Sequence, residues 1–336
     1  MLTLTQSWTV SAVPLSPSLD AADDGGTPPL PLRHEPLVAS LHGLIVLQQR
    51  RGLYIVCNPT TRQWTNLPVL APRPCSTAFP LWLLPPHRLR RVSPSLPRQR
   101  LLLLHRRRPW YYYYYSDDDE YGYNILSAGS AQPRRLPGRA PFPADRKPYL
   151  VGLSYGRPVA HRGVLHWLRA HSVATRTGKM LAFCTNSETF RLMSLPPTAH
   201  GEAAAAALLE LDGDDGAGPL LCALAMHHGG TPLDIWVLQD YEAETWTLRH
   251  RVTPPPPPPM PCRRGDFRVS GALSAGGGTI LVRGPNLSRA KAVAMKQMQL
   301  NSTPTLLTFS ESLVPHDFFH QDAPRCPDLA PIKFPD

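Results

Sequence analysis

The chain has 336 residues, 42% of them hydrophobic and 18% charged, enough apolar material for one large all-β domain or about two smaller ones at roughly 150 residues each. Proline is in excess at 40 residues; it lacks an N–H and clashes inside helices, so the composition excludes a helix bundle but leaves short strands joined by turns. The formal charge of +10 is concentrated: Arg73 to Arg108 hold nine arginines and no lysine or acid, so this is not the evenly basic domain of a nucleic-acid or membrane-surface binder.

Six cysteines (Cys57, Cys75, Cys184, Cys222, Cys262, Cys326) are scattered without a Cys-x-x-Cys pair, which argues against a disulfide scaffold. Residues 1–20 show no secretory leader. No apolar run approaches the roughly 20 residues of a membrane-spanning helix. The expectation is a cytoplasmic or nuclear protein with reduced thiols, with no membrane, cofactor or metal implied.

In chain order, residues 1–36 mix Ser, Pro, Asp and Gly and are read as a disordered arm. From Leu37 the pattern becomes strand-like. Leu44-Ile45-Val46-Leu47, a polar turn at 48–52, Leu53-Tyr54-Ile55-Val56-Cys57, the turn Asn58-Pro59-Thr60-Thr61 and a further strand through Trp64 to Pro68 form a meander. Residues 124–127 and Arg134-Arg135-Leu136-Pro137 read as a weaker copy. A clear one runs from Gly163-Val164-Leu165-His166-Trp167-Leu168 through Met180–Phe183 and the turn 185–189 to Phe190–Pro196. Another takes in Leu208–Gly213, Leu220–Leu224, Asp234-Ile235-Trp236-Val237-Leu238, the turn 239–244 and Thr245–Leu248.

Aligning the turns gives Trp64, Phe190 and Trp246 one role, each following a polar hairpin turn. The weaker copy aligns Leu136 with them. Repeats of roughly 40–50 residues with several strands each predict propeller blades, and an aromatic after the turn suits packing between blades. The fold class is therefore all-β, a propeller-like (kelch-like) array of antiparallel meanders over 37–320, with 321–336 as a C-terminal tail. A β-sandwich with similar hairpins is the alternative.

Several segments have the raw material of function. Gly152-Leu153-Ser154-Tyr155-Gly156 matches the nucleophile elbow, making a serine hydrolase using Ser154 the alternative enzyme reading. Pro158, however, falls where the elbow's helix should run. His161 and His166, and the adjacent His227 and His228, have no ligand spacing and are read as core or surface histidines. Arg106-Arg107-Arg108-Pro109-Trp110 and Tyr111 to Tyr115 offer cations beside stacking faces, the alternative RNA or DNA binder. Asp117-Asp118-Asp119-Glu120 follows at once and repels phosphate, so nucleic acid is disfavoured. Pro254 to Pro259 could enter an SH3-type groove, and read more simply as a stiff loop.

Taken together, several strings resemble the plant F-box-associated family. They are Leu41-His42-Gly43-Leu44-Ile45-Val46-Leu47, Cys57-Asn58-Pro59-Thr60-Thr61-Arg62-Gln63-Trp64, Gly163–Leu168, Glu188-Thr189-Phe190, Asp234-Ile235-Trp236-Val237 and Ser310-Glu311-Ser312-Leu313-Val314-Pro315-His316. The resemblance implies a propeller-like target-recognition domain of a Skp1–cullin–F-box ubiquitin ligase, non-catalytic and acting by proximity. Asn58, Pro59, Thr61, Trp64, Gly163, His166, Trp167, Phe190, Trp236 and Trp246 are then its structural motif residues, and its partner is an unknown target protein. Two departures stand out. No F-box is found, so a Skp1-type adaptor is a partner only if one is restored upstream. Residues 73–108 lack the strand pattern and look like a frame-slipped insert, so the array is expected to be incomplete there, with exposed apolar blade faces and marginal stability.

Overall fold

The computed structural model describes residues 2–4, 10–12, 37–41, 43–50, 53–68, 81–84, 100–106, 121–137, 158–168, 178–197, 203–212, 218–227, 232–252, 271–274, 280–283, 290–292, 303–307, 312–313 and 315–319. Nearly all of them are β. Along the chain come β1 (Leu2–Leu4) and β2 (Val10–Ala12), then the first blade, β3 (Leu37–Leu41), β4 (Leu44–Arg50), β5 (Leu53–Asn58) and β6 (Gln63–Asn66). The second blade is β7 (Leu81–Leu84), β8 (Arg100–Arg106), β9 (Tyr121–Ser127) and β10 (Arg134–Arg135). The third is β11 (Val159–His161), β12 (Val164–Trp167), β13 (Lys179–Cys184) and β14 (Thr189–Ser194). The fourth is β15 (Ala203–Asp212), β16 (Pro219–His227), β17 (Leu233–Asp240) and β18 (Thr245–Val252). The fifth has β19 (Gly271–Ser274), β20 (Ile280–Arg283) and β21 (Ala290–Ala292), and β22 (Thr303–Leu307) comes last.

Each of the first five groups is an antiparallel sheet in sequence order, and a sixth pairs β22 with β1 and β1 with β2. The leading strands lie side by side, β3 by β7, β11 by β15, β15 by β19, β19 by β22 and β22 by β3, so the last sheet returns to the first and the array is a propeller-like ring.

Alternation along each strand explains the stacking, because successive side chains point to opposite faces. Leu101 joins Val46, Tyr54 and Val56 between the first and second blades, while its neighbour Leu102 joins Trp167, Leu181 and Phe183 between the second and third. In β13, Leu181 and Phe183 face the second blade; Met180 and Ala182 face the fourth, meeting Leu221, Ala223, Leu238 and Trp246. The fourth blade's other face buries Leu209, Cys222, Leu224, Ile235 and Val237. Removing each of the Leu, Ile, Val, Met and Phe side chains among them from water contributes on the order of 1.5–3 kcal/mol.

Two expectations are corrected here. Residues 73–108 supply β7 and β8, so the second blade has four strands and, among the described residues, the gap expected in the array is filled. Leu101 to Leu104 defeat a search for polar/apolar alternation because a strand covered on both faces needs none; Leu101 and Leu102 are both fully buried. Residues 1–36, read as a disordered arm, contain β1 and β2; β1 pairs with β22, the last strand among the described residues, and β2 pairs with β1. Among the described residues no helix is long and apolar enough to cross a membrane; residues 321–336 lie outside them.

Candidate interaction face

In an antiparallel meander, strand ends alternate between two rims. The turns from first to second strand and the hairpins from third to fourth share one rim, the turn rim. Connections from second to third strand and from blade to blade leave the other. The strand ends flanking residues 107–120, 138–157 and 253–270 therefore lie together on the rim opposite the short turns. Tyr111 to Tyr115, Ser154 and Pro254 to Pro259 fall in those segments, outside the described residues.

On the turn rim, three hairpins share one backbone plan. Asn58↔Gln63, Cys184↔Thr189 and Asp240↔Thr245 close four-residue loops. The last loop residue is left-handed in each, with φ of 54° at Arg62, 55° at Glu188 and 53° at Glu244. The residue opening the loop satisfies its backbone. Asn58 Oδ1 accepts from the N–H groups of Thr60 and Thr61 at 3.0 and 3.4 Å. Asp240 Oδ1 accepts from Glu242 and Ala243, both at 2.9 Å. In the third blade Cys184 takes this place. Burial alone would push its thiol up, but the Ser187 hydroxyl, the N–H groups of Ser187 and Asn186, and the Arg191 charge hold it below the usual thiol range.

The left-handed acids reach back to the preceding blade. Glu188 Oε1 accepts from Arg100 Nη1 at 2.9 Å, its Oε2 pairs with Arg134, and Arg100 Nη2 donates to the Thr185 carbonyl at 2.9 Å. Glu244 Oε2 accepts from the Ser194 N–H at 2.6 Å, while Trp246 Nε1 donates to the Ser194 carbonyl at 2.9 Å. Aromatic packing follows the same direction: Phe190 lies 4.4 Å from Tyr123 of the second blade, centroid to centroid.

A buried polar cluster lies at the seam of the third and fourth blades. His166 Nδ1 is 3.3 Å from the Val159 carbonyl, which can only accept, so Nδ1 carries the proton and Nε2 accepts from the Tyr241 hydroxyl at 2.8 Å. Burial, reinforced by the charge of Arg191 and by His161, lowers the His166 pKa to about 4 against the weaker pull of the Val159 carbonyl. Burial likewise raises Tyr241, keeping it a phenol donor. His161 Nδ1 donates to Glu210 Oε1 at 2.9 Å, and the Arg191 guanidinium lies 5.0 Å above the Tyr241 ring. At the opposite rim, buried Asp234 accepts from Arg251 Nε at 2.7 Å and His227 Nε2 at 2.8 Å, bonds that hold its carboxyl below the usual range. Every one of these groups is engaged in joining strands or blades, and among the described residues no group of three metal-ligating side chains comes together.

Three of the sequence strings converge at the first blade. The Asn58 Nδ2 donates to the Ser312 carbonyl at 2.9 Å. Gly43, with φ +80°, lies so close that a Cβ there would stand 2.3 Å from Ser312 Cβ. Phe318 then enters the apolar cluster between the first and second blades.

The predicted motif residues divide by blade. Asn58 is buried, Pro59 and Thr61 form its half-buried loop, and Trp64 packs on Ile55. Gly163 turns at φ +77°, its carbonyl receiving both the Thr185 N–H and hydroxyl. Trp167 is buried toward the second blade with Phe190 beside it; His166, Trp236 and Trp246 line the seam with the fourth. Leu136 does not share the place of Phe190. Its N–H bonds back to Tyr123 as Leu67 does to Tyr54 and Leu195 to Gly178, so it matches the leucines of the other Leu-Pro pairs and Pro133 holds the aromatic position. His161 and His166, read as core or surface histidines, are buried. Sequence reading assigns no role to Arg100 or Phe318, and shows Glu188, Glu210 and Tyr241 only as parts of the strings, without the contacts they make. Glu188 and Glu244 were findable, each standing two residues before the aromatic.

No protein-family model matches the chain, and no curated protein does. Among solved structures it is similar to the crystal structure of the N-terminal domain of Nup159, at 9% identity and TM-score 0.35, covering 84% of this chain and 72% of that one. It is also similar to the Dos1 propeller, at 10% identity and TM-score 0.36, covering 75% of this chain and 65% of that one.

Proposed function

We propose that the chain is a non-catalytic protein-interaction module, the target-recognition part of a ubiquitin-ligase receptor of the F-box type, working in the cytoplasm or nucleus. The supporting observation is that Gly43, Asn58 and Ser312, from three strings separated by up to 269 residues, meet at one place, so the strings behave as one structural unit. The ring holds exposed Arg62, Arg162 and Glu242 on well-anchored turns, a scaffold suited to displaying side chains to a protein partner. A Skp1-type adaptor enters only through F-box helices supplied upstream of Met1.

The test is proximity labelling in cells with and without proteasome inhibition. Expected is a discrete set of labelled proteins that grows under inhibition and shrinks when Arg62→Glu and Glu242→Arg reverse the turn rim. An unchanged set overturns the reading. So does covalent capture by an active-site serine probe that Ser154→Ala abolishes.

A further inference from the structure

The turn-rim seams are not closed alike. Between the second and third blades Glu188 reaches across, and between the third and fourth Glu244 does. Between the first and second blades the corresponding hairpin spans residues 128–133, and the place two residues before the aromatic position, held by Glu188 and Glu244 in the other seams, is taken by Ala131, whose side chain is too short to cross. A segment from outside any blade does the work. Ser312 lies against Gly43 and Asn58, and a short 3-10 turn, Asp317–Phe319, places Phe318 in the apolar cluster, 3% exposed, with Phe319 packed beside it.

The contact has the character of peptide recognition. Asn58 reads the Ser312 carbonyl, a backbone group carried by any peptide, and Phe318 six residues on fills an apolar site, the division between main-chain bonds for affinity and a side-chain pocket for choice seen in extended-peptide recognition. Between those anchors Leu313 is 78% exposed and Pro315 is exposed, and His316 is buried with its ring against Phe319. Gly43 has no side chain, which lets the segment's backbone lie directly on the turn.

We propose that the seam between the first and second blades is a peptide-docking groove, occupied in cis by residues 312–319 acting as a releasable strap. A partner segment offering a free carbonyl and an aromatic six residues later competes for the same groove. This goes beyond the ubiquitin-ligase reading and does not depend on it.

The repeat supplies the variant that isolates the strap. Asp240 holds its hairpin through Oδ1 with no strap attached, so Asn58→Asp keeps the acceptor for Thr60 and Thr61 and replaces the donor to Ser312 with an oxygen that repels it. In the full-length chain, hydrogen exchange at 312–319 is expected to speed up at least tenfold in Asn58→Asp while β16 amides stay as protected as in the parent. A fluorescent peptide of residues 310–321 is expected to bind Phe318→Ala at least tenfold more tightly than the parent, whose own strap competes. Unchanged exchange at 312–319 in Asn58→Asp overturns the proposal. Equal peptide affinity for parent and Phe318→Ala, or no binding to either, with β16 still protected, also overturns it. Should Phe318→Ala lose β16 protection, Asn58→Asp exchange alone decides.

Discussion

Asn58, Cys184 and Asp240 occupy one position in three copies of a hairpin and accept from the same two backbone N–H groups, yet only the cysteine acquires a chemistry from the arrangement. A sulfur in that place is held as thiolate more readily than an ordinary thiol. Cys57 and Cys222 are buried, and burial pushes the Cys222 thiol up to about 12. Alkylation of the native chain at neutral pH followed by peptide mass spectrometry is therefore expected to modify Cys184 well before Cys57 or Cys222; modification of Cys222 first would contradict the geometry. His166 carries the opposite linkage. Its pKa is about 4 in the folded chain against an ordinary value of 6.5, so the unfolded state binds the extra proton between those values. The stability this contributes is whole above pH 6.5, falls as the pH drops toward 4, and changes no further below that. The loss is about 3 kcal/mol at roughly 1.4 kcal/mol per unit. Denaturant titrations at pH 7.5 and 4.5 are expected to show it, and His166→Gln is expected to flatten the slope.

At the scale of the element, the left-handed loop residue presents a trade between backbone and side chain. A non-glycine residue there costs about 1–2 kcal/mol, which glycine relieves. Arg62 has an exposed side chain, so Arg62→Gly is expected to leave stability unchanged or raise it by up to about 1 kcal/mol. Glu188 shares the backbone but joins Arg100, itself only 12% exposed, to Arg134. Breaking charge-assisted bonds of this kind costs about 1.5–3 kcal/mol, so Glu188→Gly is expected to destabilise despite the same relief. Thermal unfolding of the two variants side by side checks the opposite signs. These hairpins were the most legible part of the sequence, because a polar loop followed by a polar residue and an aromatic is a local signal. Who Glu188 meets was not legible, since Arg100 lies 88 residues earlier in a leucine- and arginine-rich stretch. The Leu136 alignment failed for a related reason: with β10 reduced to two paired residues, the spacing from turn to outer leucine is shorter than in the third blade.

For the molecule as a whole, sequence reading recovered the blades that repeat an audible pattern and lost those that do not. β7 and β8 were hidden by composition, and β1 and β2 by brevity, since three residues give no period to detect. Their importance comes from where they pair, which is a property of the ring. β1 is the central strand of the closing sheet, bonded on both sides. Thr3→Pro removes a ladder donor there and leaves its acceptor unpaired, which is expected to cost about 1–3 kcal/mol. Hydrogen exchange should show β22, β3 and β19 losing protection while β16 in the fourth blade keeps most of its own. Uniform loss across all blades would mean that the ring does not open at this sheet.

The strand order of that sheet also sets a timetable. β1 leaves the ribosome first and then waits for β22, which is about 300 residues away and, at roughly 5–20 residues per second, arrives at least 15 seconds later. Throughout translation the nascent ring is therefore an open arc with two unfinished flanks. Until β22 arrives, those flanks present unpaired strand edges and uncovered apolar faces, the features that make partly folded chains prone to aggregate.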